Sequence, residues 1–439
     1  MMDAYFKISE LNSSVRQEII AGLTTFLTMA YIIVVNPQIL SAAGMDFDAV
    51  FVATCLAAAI GTFIMGIYAN YPIALAPGMG LNAFFAFVVV KGMHVSWEVA
   101  LAAVFFSGVV FVILSVVPVR EWIINSIPKS QKMAIASGIG FFLGLIALEN
   151  AGIVVGHPAT YVTVGDLGTW SVVLASAGFF VIVALDYWKV PGAIVIGILA
   201  VTAIGIIFAI PDSQNQAPEL HGLFAAPPDM GPTFLALDFG GFLKLAFATV
   251  LILVFSFLMV DLFDTAGTLI GLAHQAGLLD KKGNLPRLGK ALIADSTATV
   301  AGSLLGTSTT TSYIESAAGI KAGGRTGLTA VVVGVLFLVC LILAPLAKSI
   351  PWYATAPAIL FVACMMASGL AQIDWNDITE YVPAVITAIS MPLTFSIATG
   401  IGFGFISFVA IKLLSGRAKD VNPAVLIVAA VFILYFATK

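Results

Sequence analysis

Long apolar windows, separated by short polar or charged segments, run through almost the whole chain. A transmembrane helix needs about 20 predominantly apolar residues, and most of these windows approach that length. One series precedes a polar stretch at 211–241, and an equal series follows it. The windows lie at 17–36, 48–69, 75–91, 99–118, 132–150, 170–186 and 189–210, and then at 243–272, 289–305, 310–320, 325–347, 353–371, 381–414 and 422–437. The pattern predicts an all-α polytopic membrane protein of about 14 spans.

Seven windows on each side of the polar stretch predict two repeats. An odd number of spans per repeat inverts the second relative to the first, as in many secondary transporters. We therefore predict a cytoplasmic N-terminus at 1–16, a first seven-span repeat at 17–210, an extracytoplasmic linker at 211–241 and a second repeat at 242–439. The repeat rests on hydropathy, since the halves share little residue-level similarity, and a many-spanning protein without symmetry is the alternative.

The window 381–414 is too long for one ordinary span. It contains Pro392, Gly400, Gly402 and Gly404, so it is either one span or two short helices joined near 397–400. Basic residues favour the second reading, because Lys and Arg concentrate in cytoplasmic loops. With a cytoplasmic N-terminus most basic residues lie inside, and a hairpin also places the last cluster inside, which consists of Lys412, Arg417 and Lys419.

The amino-acid composition agrees with a membrane protein and excludes several other classes of protein. Sixty per cent of the 439 residues are apolar, 10% are charged and the net charge is −4, with a mean hydropathy of +1.08. Soluble domains are about one quarter charged, so an ordinary cytosolic enzyme and a disordered protein are excluded. The charge offers no footprint for nucleic acid. Three cysteines without a CxxC motif predict neither a disulfide framework nor a metal site.

The third window of each half is interrupted. In the first half, Pro77, Gly78 and Gly80 make a continuous helix unfavourable, and Asn82 is a favoured residue to begin one. In the second half, six consecutive hydroxyl residues occupy 307–312 and favour extended backbone. Ser312 and Glu315 then have capping-box spacing, which predicts a helix start there.

Two extended segments that run into helix N-termini are expected to face each other near the middle of the bilayer. Short or broken helices at matching places of two repeats mark transporter sites, and free N–H groups with positive dipole ends suit a polar or anionic ligand. The alternative is that the small residues only allow close helix packing.

Acidic residues inside apolar windows are the main candidates for function. Asp261, Asp264 and Thr268 lie on one helical face, and Glu315 lies at the interrupted tenth window. Carboxylates in a membrane are costly and therefore functional candidates by default. Structural alternatives remain open: Glu315 as a capping residue, Asp261 as a tie between helices, and Asp295 as helix-packing polarity.

Several of these segments resemble the AzgA-like purine permeases of the nucleobase/cation symporter-2 family. The resemblance is carried by motifs at 16–26, 76–85, 262–269, 306–315 and 391–397, and it covers nearly the whole chain. It implies 14 spans as two inverted sevens and an elevator-type movement of a core domain against a gate domain. It implies a core at about 17–118 and 243–347, and a gate at about 132–210 and 353–437.

The resemblance also implies a binding site between the half-helices of spans 3 and 10. Asp264 and Glu315 match the substrate-contacting acids, and Asn82 and Gly80 match the contact region of span 3. The candidate substrate-binding residues are Asp264, Glu315, Asn82, Gly80, Phe84, Thr310, Thr311 and Thr268. The candidate proton-coupling residues are Asp264, Glu315 and Asp261.

The resemblance thus implies a secondary transporter, not an enzyme, that imports adenine, guanine or hypoxanthine across the plasma membrane, which is the inner membrane of a bacterium. Its expected partners are the base, protons and lipid, with no cofactor and no nucleic acid. The preferred purine, H⁺ against Na⁺ coupling and a homodimer stay open. A channel and an intramembrane aspartyl protease are the alternatives. The sequence lacks the filter motif that is expected of a channel. The residue after Gly80 is Leu81 and not an aspartate, which weakens the protease interpretation.

Overall fold

The structure is a computed structural model, and it describes residues 2–117, 126–212, 216–275, 278 and 285–437. It is mostly helical. The helices of the first half are α1 Met2–Phe6, α2 Val15–Met29, α3 Ile32–Ser41, α4 Phe47–Ile64, α5 Met79–Ala83, α6 Trp97–Val116, α7 Lys129–Asn150, α8 Trp170–Tyr187 and α9 Ala193–Ile207. Two segments with π-helical geometry, Met65–Ala69 and Phe84–Gly92, extend α4 and α5.

The second half begins after the polar stretch. Its helices are α10 Phe239–Lys244, α11 Phe247–Gln275, α12 Leu288–Leu305, α13 Ser316–Lys321, α14 Gly327–Val339, α15 Ala344–Lys348, α16 Trp352–Ala367, α17 Ile378–Leu393, α18 Ile397–Leu414 and α19 Pro423–Ala437. Short 3-10 segments follow α14, α16 and α18, at Cys340–Leu343, Ser368–Gln372 and Ala418–Asp420. The strands are β1 Leu75–Pro77, β2 Val154–His157, β3 Tyr161–Val164 and β4 Thr310–Ser312.

Length and hydropathy identify the membrane segments. Within the described parts of the chain, nine helices are long and apolar enough to cross a bilayer, and four further apolar helices are shorter. The protein is therefore a multi-pass membrane protein, as predicted. The count of 14 spans and their inverted arrangement stay predictions.

The window 381–414 forms two helices. α17 ends at Leu393 and α18 begins at Ile397, a few residues before the predicted junction. Phe395 has a positive φ of 48°, and the side chain of Ser396 accepts a hydrogen bond from the N–H of Thr399 at 3.2 Å. This cap starts α18 in a new direction. The helices pack against each other, and Lys412 near the end of α18 meets Glu380 near the start of α17 at 2.6 Å. They therefore form an antiparallel hairpin.

The interrupted windows of the two halves meet directly. β1 pairs with β4 in antiparallel register, with Leu75 opposite Ser312, Ala76 opposite Thr311 and Pro77 opposite Thr310. The predicted extended conformation of both segments is confirmed. All residues of both strands are buried, which agrees with the rule that irregular backbone at membrane depth is surrounded by protein.

The helices pack in two groups, and the strands β1 and β4 pack against helices of the first group. In one group, α12 packs on α4 and α6, and α14 packs on α2 and α4. In the other, α7 packs on α16 and α17, and α16 packs on α8 and α9. Contact between α7 and α11 is one of the places where the groups meet.

Glu18 of α2 joins the first group across a long sequence distance. Its side chain is fully buried and accepts hydrogen bonds from the N–H of Arg325 at 3.0 Å, the N–H of Thr326 at 3.2 Å and the hydroxyl of Thr329 at 2.5 Å. The N–H of Thr326 belongs to the N-cap residue of α14, and the N–H of Arg325 to the residue before it. A carboxylate there satisfies them and suits the positive end of the helix.

Replacing Glu18 with Ala is expected to lower thermal stability clearly, because three buried donors lose their acceptor. Each donor left unsatisfied costs about 1–3 kcal/mol. The check is the unfolding temperature of purified protein in detergent. Glu10→Ala is the matched control, since Glu10 forms only an exposed ion pair with Lys7, which contributes little. Equal unfolding temperatures for the two variants would contradict the capping role.

Candidate functional site

The two half-helices of the structure are α5 and α13, and both begin at residues other than those predicted. α5 starts at Met79 after an extended Gly78, so Asn82 lies inside the helix and is not its N-cap. α13 starts at Ser316, and Ser312 belongs to β4, so the predicted capping box does not form. Glu315 occupies the N-cap position without a side-chain capping bond. Its carboxylate is thereby left available for other partners.

A cavity of about 520 Å³ lies where the half-helices meet the second group of helices. One wall is formed by the start of α5, by α11 and by the segment from β4 to α13. The opposite wall is formed by α7, α16 and the 3-10 turn after α16. Five of the predicted site residues line it, namely Asp264, Glu315, Gly80, Thr268 and Thr311.

Asp264 of α11 lies beside the paired strands. A Cβ atom placed on Gly78 would be 2.7 Å from Cγ2 of Thr311 and 3.7 Å from Oδ2 of Asp264. Because Gly78 has no side chain, the pair formed by β1 and β4, called the strand crossing below, can lie close to the carboxylate of Asp264. Thr268, one turn further along α11, lines the same cavity, so the predicted common face of Asp264 and Thr268 is observed.

Glu315 is held by Thr28 of α2 and by Tyr31, the residue that precedes α3. Its carboxylate accepts a short hydrogen bond from the hydroxyl of Tyr31, and its carbonyl oxygen accepts one from Thr28 at 3.3 Å. Both Glu315 and Tyr31 are buried. Glu315 also lines the cavity, so one oxygen can be fixed by Tyr31 while the carboxylate faces a ligand. Tyr31 is a positioning residue that the sequence did not reveal.

Further hydrogen bonds hold the strand crossing at the end where Pro77 lies opposite Thr310. The hydroxyl of Tyr313 donates to the carbonyl of Pro77 at 2.5 Å, and the N–H of Gly78 donates to the carbonyl of Thr309 at 2.9 Å. Thr299 of α12 donates to the carbonyl of Thr310 at 2.9 Å. These bonds satisfy backbone groups that have no helical partner, and they set the starting points of α5 and α13.

Three predicted contact residues lie away from the cavity lining. Asn82 is buried and accepts a short hydrogen bond from Ser308. The ring of Phe84 packs edge-on against Phe257, with centroids 5.1 Å apart, which is core packing and not a platform for a ligand. Thr310 is buried in β4. Asn82 and Thr310 support the crossing, and neither lies on the cavity wall.

Asp261 belongs to a buried polar cluster behind the cavity. Thr265 is its centre: its hydroxyl lies 3.4 Å from Asp261, 2.9 Å from Asp295 and 2.9 Å from Thr311. Ser312 also donates to Asp295 at 3.4 Å. Asp295, read from the sequence as packing polarity, is therefore connected through one hydroxyl to Thr311 on the cavity wall. The signal for it was its position inside an apolar window.

Gly80 is a contact between the two helix groups. A Cβ atom there would be 2.9 Å from Cγ2 of Ile139 on α7 and 3.3 Å from Cδ1 of Ile397 on α18. No side chain larger than hydrogen fits at that separation without movement of a neighbour. The lack of a side chain at Gly80 thus allows the start of α5 to pack closely against the second group of helices.

The model of a family described as the permease family matches residues 16–403. The chain belongs to this permease family. It is 48% identical to the adenine permease AdeP of Escherichia coli, over 99% of this chain and 95% of that protein. It is 45% identical to the guanine/hypoxanthine permease PbuG of Bacillus subtilis, over 99% of each. The resemblance drawn from the motifs is confirmed.

The fold is similar to that of a solved membrane domain. The transmembrane domain of the cyanobacterial bicarbonate transporter BicA matches with a TM-score of 0.64 and 17% identity, over 90% of this chain and 97% of that domain. Because the family and these relatives are permeases, the protein is a permease and not an enzyme, and the protease alternative is set aside.

Proposed function

We propose that this permease imports purine nucleobases and binds them in the cavity between β1–α5, β4–α13 and α7. The observation that carries the proposal is the convergence of two acids, Asp264 and Glu315, on one cavity at the crossing of two broken spans. The names of the relatives, adenine permease and guanine/hypoxanthine permease, support a purine as the ligand.

The chemistry of the cavity suits a base. A purine presents ring N–H groups and, in adenine and guanine, an exocyclic amine, and carboxylates are acceptors for such donors. Thr268 and Thr311 line the same space and can donate or accept. In this site Glu315 binds the base, Asp264 binds base or proton, and Gly80 lets the half-helix approach. Asn82 and Thr310 position the strand crossing.

We propose H⁺ symport with an elevator movement as the mechanism. In it the group containing α2–α6 and α11–α15 is the core, and the group containing α7–α9 and α16–α19 is the gate. The two groups pack largely within themselves and share the cavity, which supports a movement of one against the other. Asp264 and Glu315, with Asp261 behind them, are the groups proposed to exchange the proton.

The proposed topology places 1–16 in the cytoplasm, in a plasma membrane that is the inner membrane of a bacterium, with 14 spans as two inverted sevens. The hairpin of α17 and α18 supports it. Through Glu380, Lys412 is joined to Ser130 at the start of α7, so the last basic cluster shares a side with Lys129 and Lys132. Basic residues on one side are the expected sign of the cytoplasmic face.

Uptake of labelled adenine, guanine and hypoxanthine into cells that lack their own purine permeases tests the function. We expect saturable uptake of at least one purine, reduced at least about tenfold by a protonophore because the proton gradient drives accumulation. Uptake that depends on Na⁺ and resists the protonophore would keep the substrate and overturn H⁺ coupling. A well-expressed protein that takes up no purine would overturn the proposed substrate.

A further inference from the structure

The cavity has a basic end that base recognition does not use. Lys132, Ala136, Ile139 and Leu143 of α7 recur at helical spacing and all line the cavity, and Lys129 continues this stripe at the start of the helix. Lys132 is half-buried and Lys129 is exposed. The cavity therefore carries acids in one region and two ammonium groups in another.

Contacts along α7 give the separation of these regions. A Cβ atom on Gly80 would be 2.9 Å from Ile139, so Ile139 lies level with the start of α5 and hence near Asp264. Lys132 lies seven residues earlier, which corresponds to about 10 Å along the helix axis at 1.5 Å per residue. A ligand longer than a free base can therefore contact both regions at once.

The lysines have no carboxylate partner among the residues that the structure describes, since none forms an ion pair with Lys129 or Lys132 within 4.0 Å. Two nearby acids have other cations: Glu380 pairs with Lys412 at 2.6 Å, and Asp377 pairs with Arg417 at 2.6 Å. The two lysines are thus left to water or to an anionic ligand.

We propose that Lys132, assisted by Lys129, is a subsite for a phosphate group, and that the cavity takes a purine nucleoside 5′-monophosphate as an inhibitory ligand. This inference rests on the proposed binding of the base at Asp264 and Glu315. At about 520 Å³ the cavity has the size of sites for ligands larger than a base, and lysine binds phosphate as a point charge. A base linked through ribose to phosphate carries its donors and its anion at opposite ends, which matches the acids and the lysines in separate regions of the cavity.

The consequence is that the nucleotide inhibits uptake of the base, and it does so from the side where the lysines lie, which is the proposed cytoplasmic side. The class of reaction that yields this ligand transfers a 5-phosphorylated ribosyl group to a ring nitrogen of the imported base, with loss of the nitrogen's proton and release of the leaving group from the anomeric carbon. With its base at the acids and its phosphate at Lys132, the nucleotide occupies the transport site, so it competes with the base.

Binding to the purified full-length protein tests the inference. Calorimetric titration with adenine, adenosine and adenosine 5′-monophosphate, and with the guanine series, gives the ratio of nucleotide to nucleoside affinity. We expect the monophosphate to bind at least about tenfold more tightly than the nucleoside, the size of one charge-assisted hydrogen bond. Lys132→Gln should remove most of this ratio and Lys132→Arg should keep it. Lys290→Gln, a lysine outside the cavity lining that lies over the ring of Tyr68, should leave it unchanged.

The outcomes separate this inference from the proposed function. Base binding without any preference for the monophosphate over the nucleoside overturns the phosphate subsite and keeps the purine permease. An equal loss of the preference in Lys132→Gln and Lys290→Gln also overturns it, because general charge would then explain binding. If neither base nor monophosphate binds and no purine is taken up, the proposed substrate fails with it.

Discussion

Replacing Glu315 with Gln is expected to lower the initial rate of purine uptake about 100-fold or more, with the protein still folded in the membrane. Glu315 is buried, lines the cavity and accepts a hydrogen bond from Tyr31. Gln keeps the shape and a carbonyl acceptor for Tyr31, so the local packing is preserved. It loses the charge, and hydrogen bonds to charged groups contribute about 1.5–3 kcal/mol each. It also cannot take up a proton.

The measurement is uptake at several base concentrations, normalised to the amount of protein in the membrane. Glu149→Gln is the matched control, because Glu149 is an exposed acid near the end of α7 that does not line the cavity, and its rate should stay near that of the wild type. Tyr31→Phe removes only the donor to Glu315, so a smaller loss is expected. Uptake by Glu315→Gln within twofold of wild type would exclude Glu315 from binding and coupling.

Much of the fold is predictable because the membrane limits what a chain can do. Apolar windows had to become helices, since backbone groups in lipid must be satisfied within the segment. The six hydroxyl residues at 307–312 and the Pro–Gly sequence at 77–78 marked the two windows in which the helix is interrupted. The structure places β4 and β1 there. Position in the chain and composition were enough for both.

The exact contacts of the site could not be predicted, because they depend on neighbours distant in sequence. Asn82 is a good N-cap residue in isolation, but Ser308 of the opposite half binds its side chain. Ser312 and Glu315 have capping-box spacing. However, Ser312 pairs with Leu75 in the strands, and the Glu315 carboxylate accepts a hydrogen bond from Tyr31. In each case a tertiary partner competes with a local preference and wins.

A methyl group at position 80 is expected to block transport, because Gly80 lies where the two helix groups meet. In Gly80→Ala the new Cβ would be 2.9 Å from Ile139 and 3.3 Å from Ile397. Overpacking of this kind costs about 1–3 kcal/mol, and it acts on a contact that the proposed movement must change. We expect uptake to fall at least about tenfold. Gly267→Ala is the matched control: Gly267 also lines the cavity, but among the described residues its Cβ would approach Ala136 alone, at 4.0 Å.

The double variant Gly80→Ala/Ile139→Ala decides how position 80 acts. Ile139→Ala removes the methyl group that the new Cβ would meet, so if the steric contact is the cause, uptake in the double variant should exceed that of Gly80→Ala alone. Such coupling between residues in contact is what a double-mutant cycle measures. Additive losses in the two single variants would mean instead that Gly80 acts through the ligand or through the conformation of α5. Since Ile139 and Ile397 belong to the proposed gate and Gly80 to the proposed core, a restored rate would show that transport depends on close packing between the two groups, the contact that the proposed movement must change.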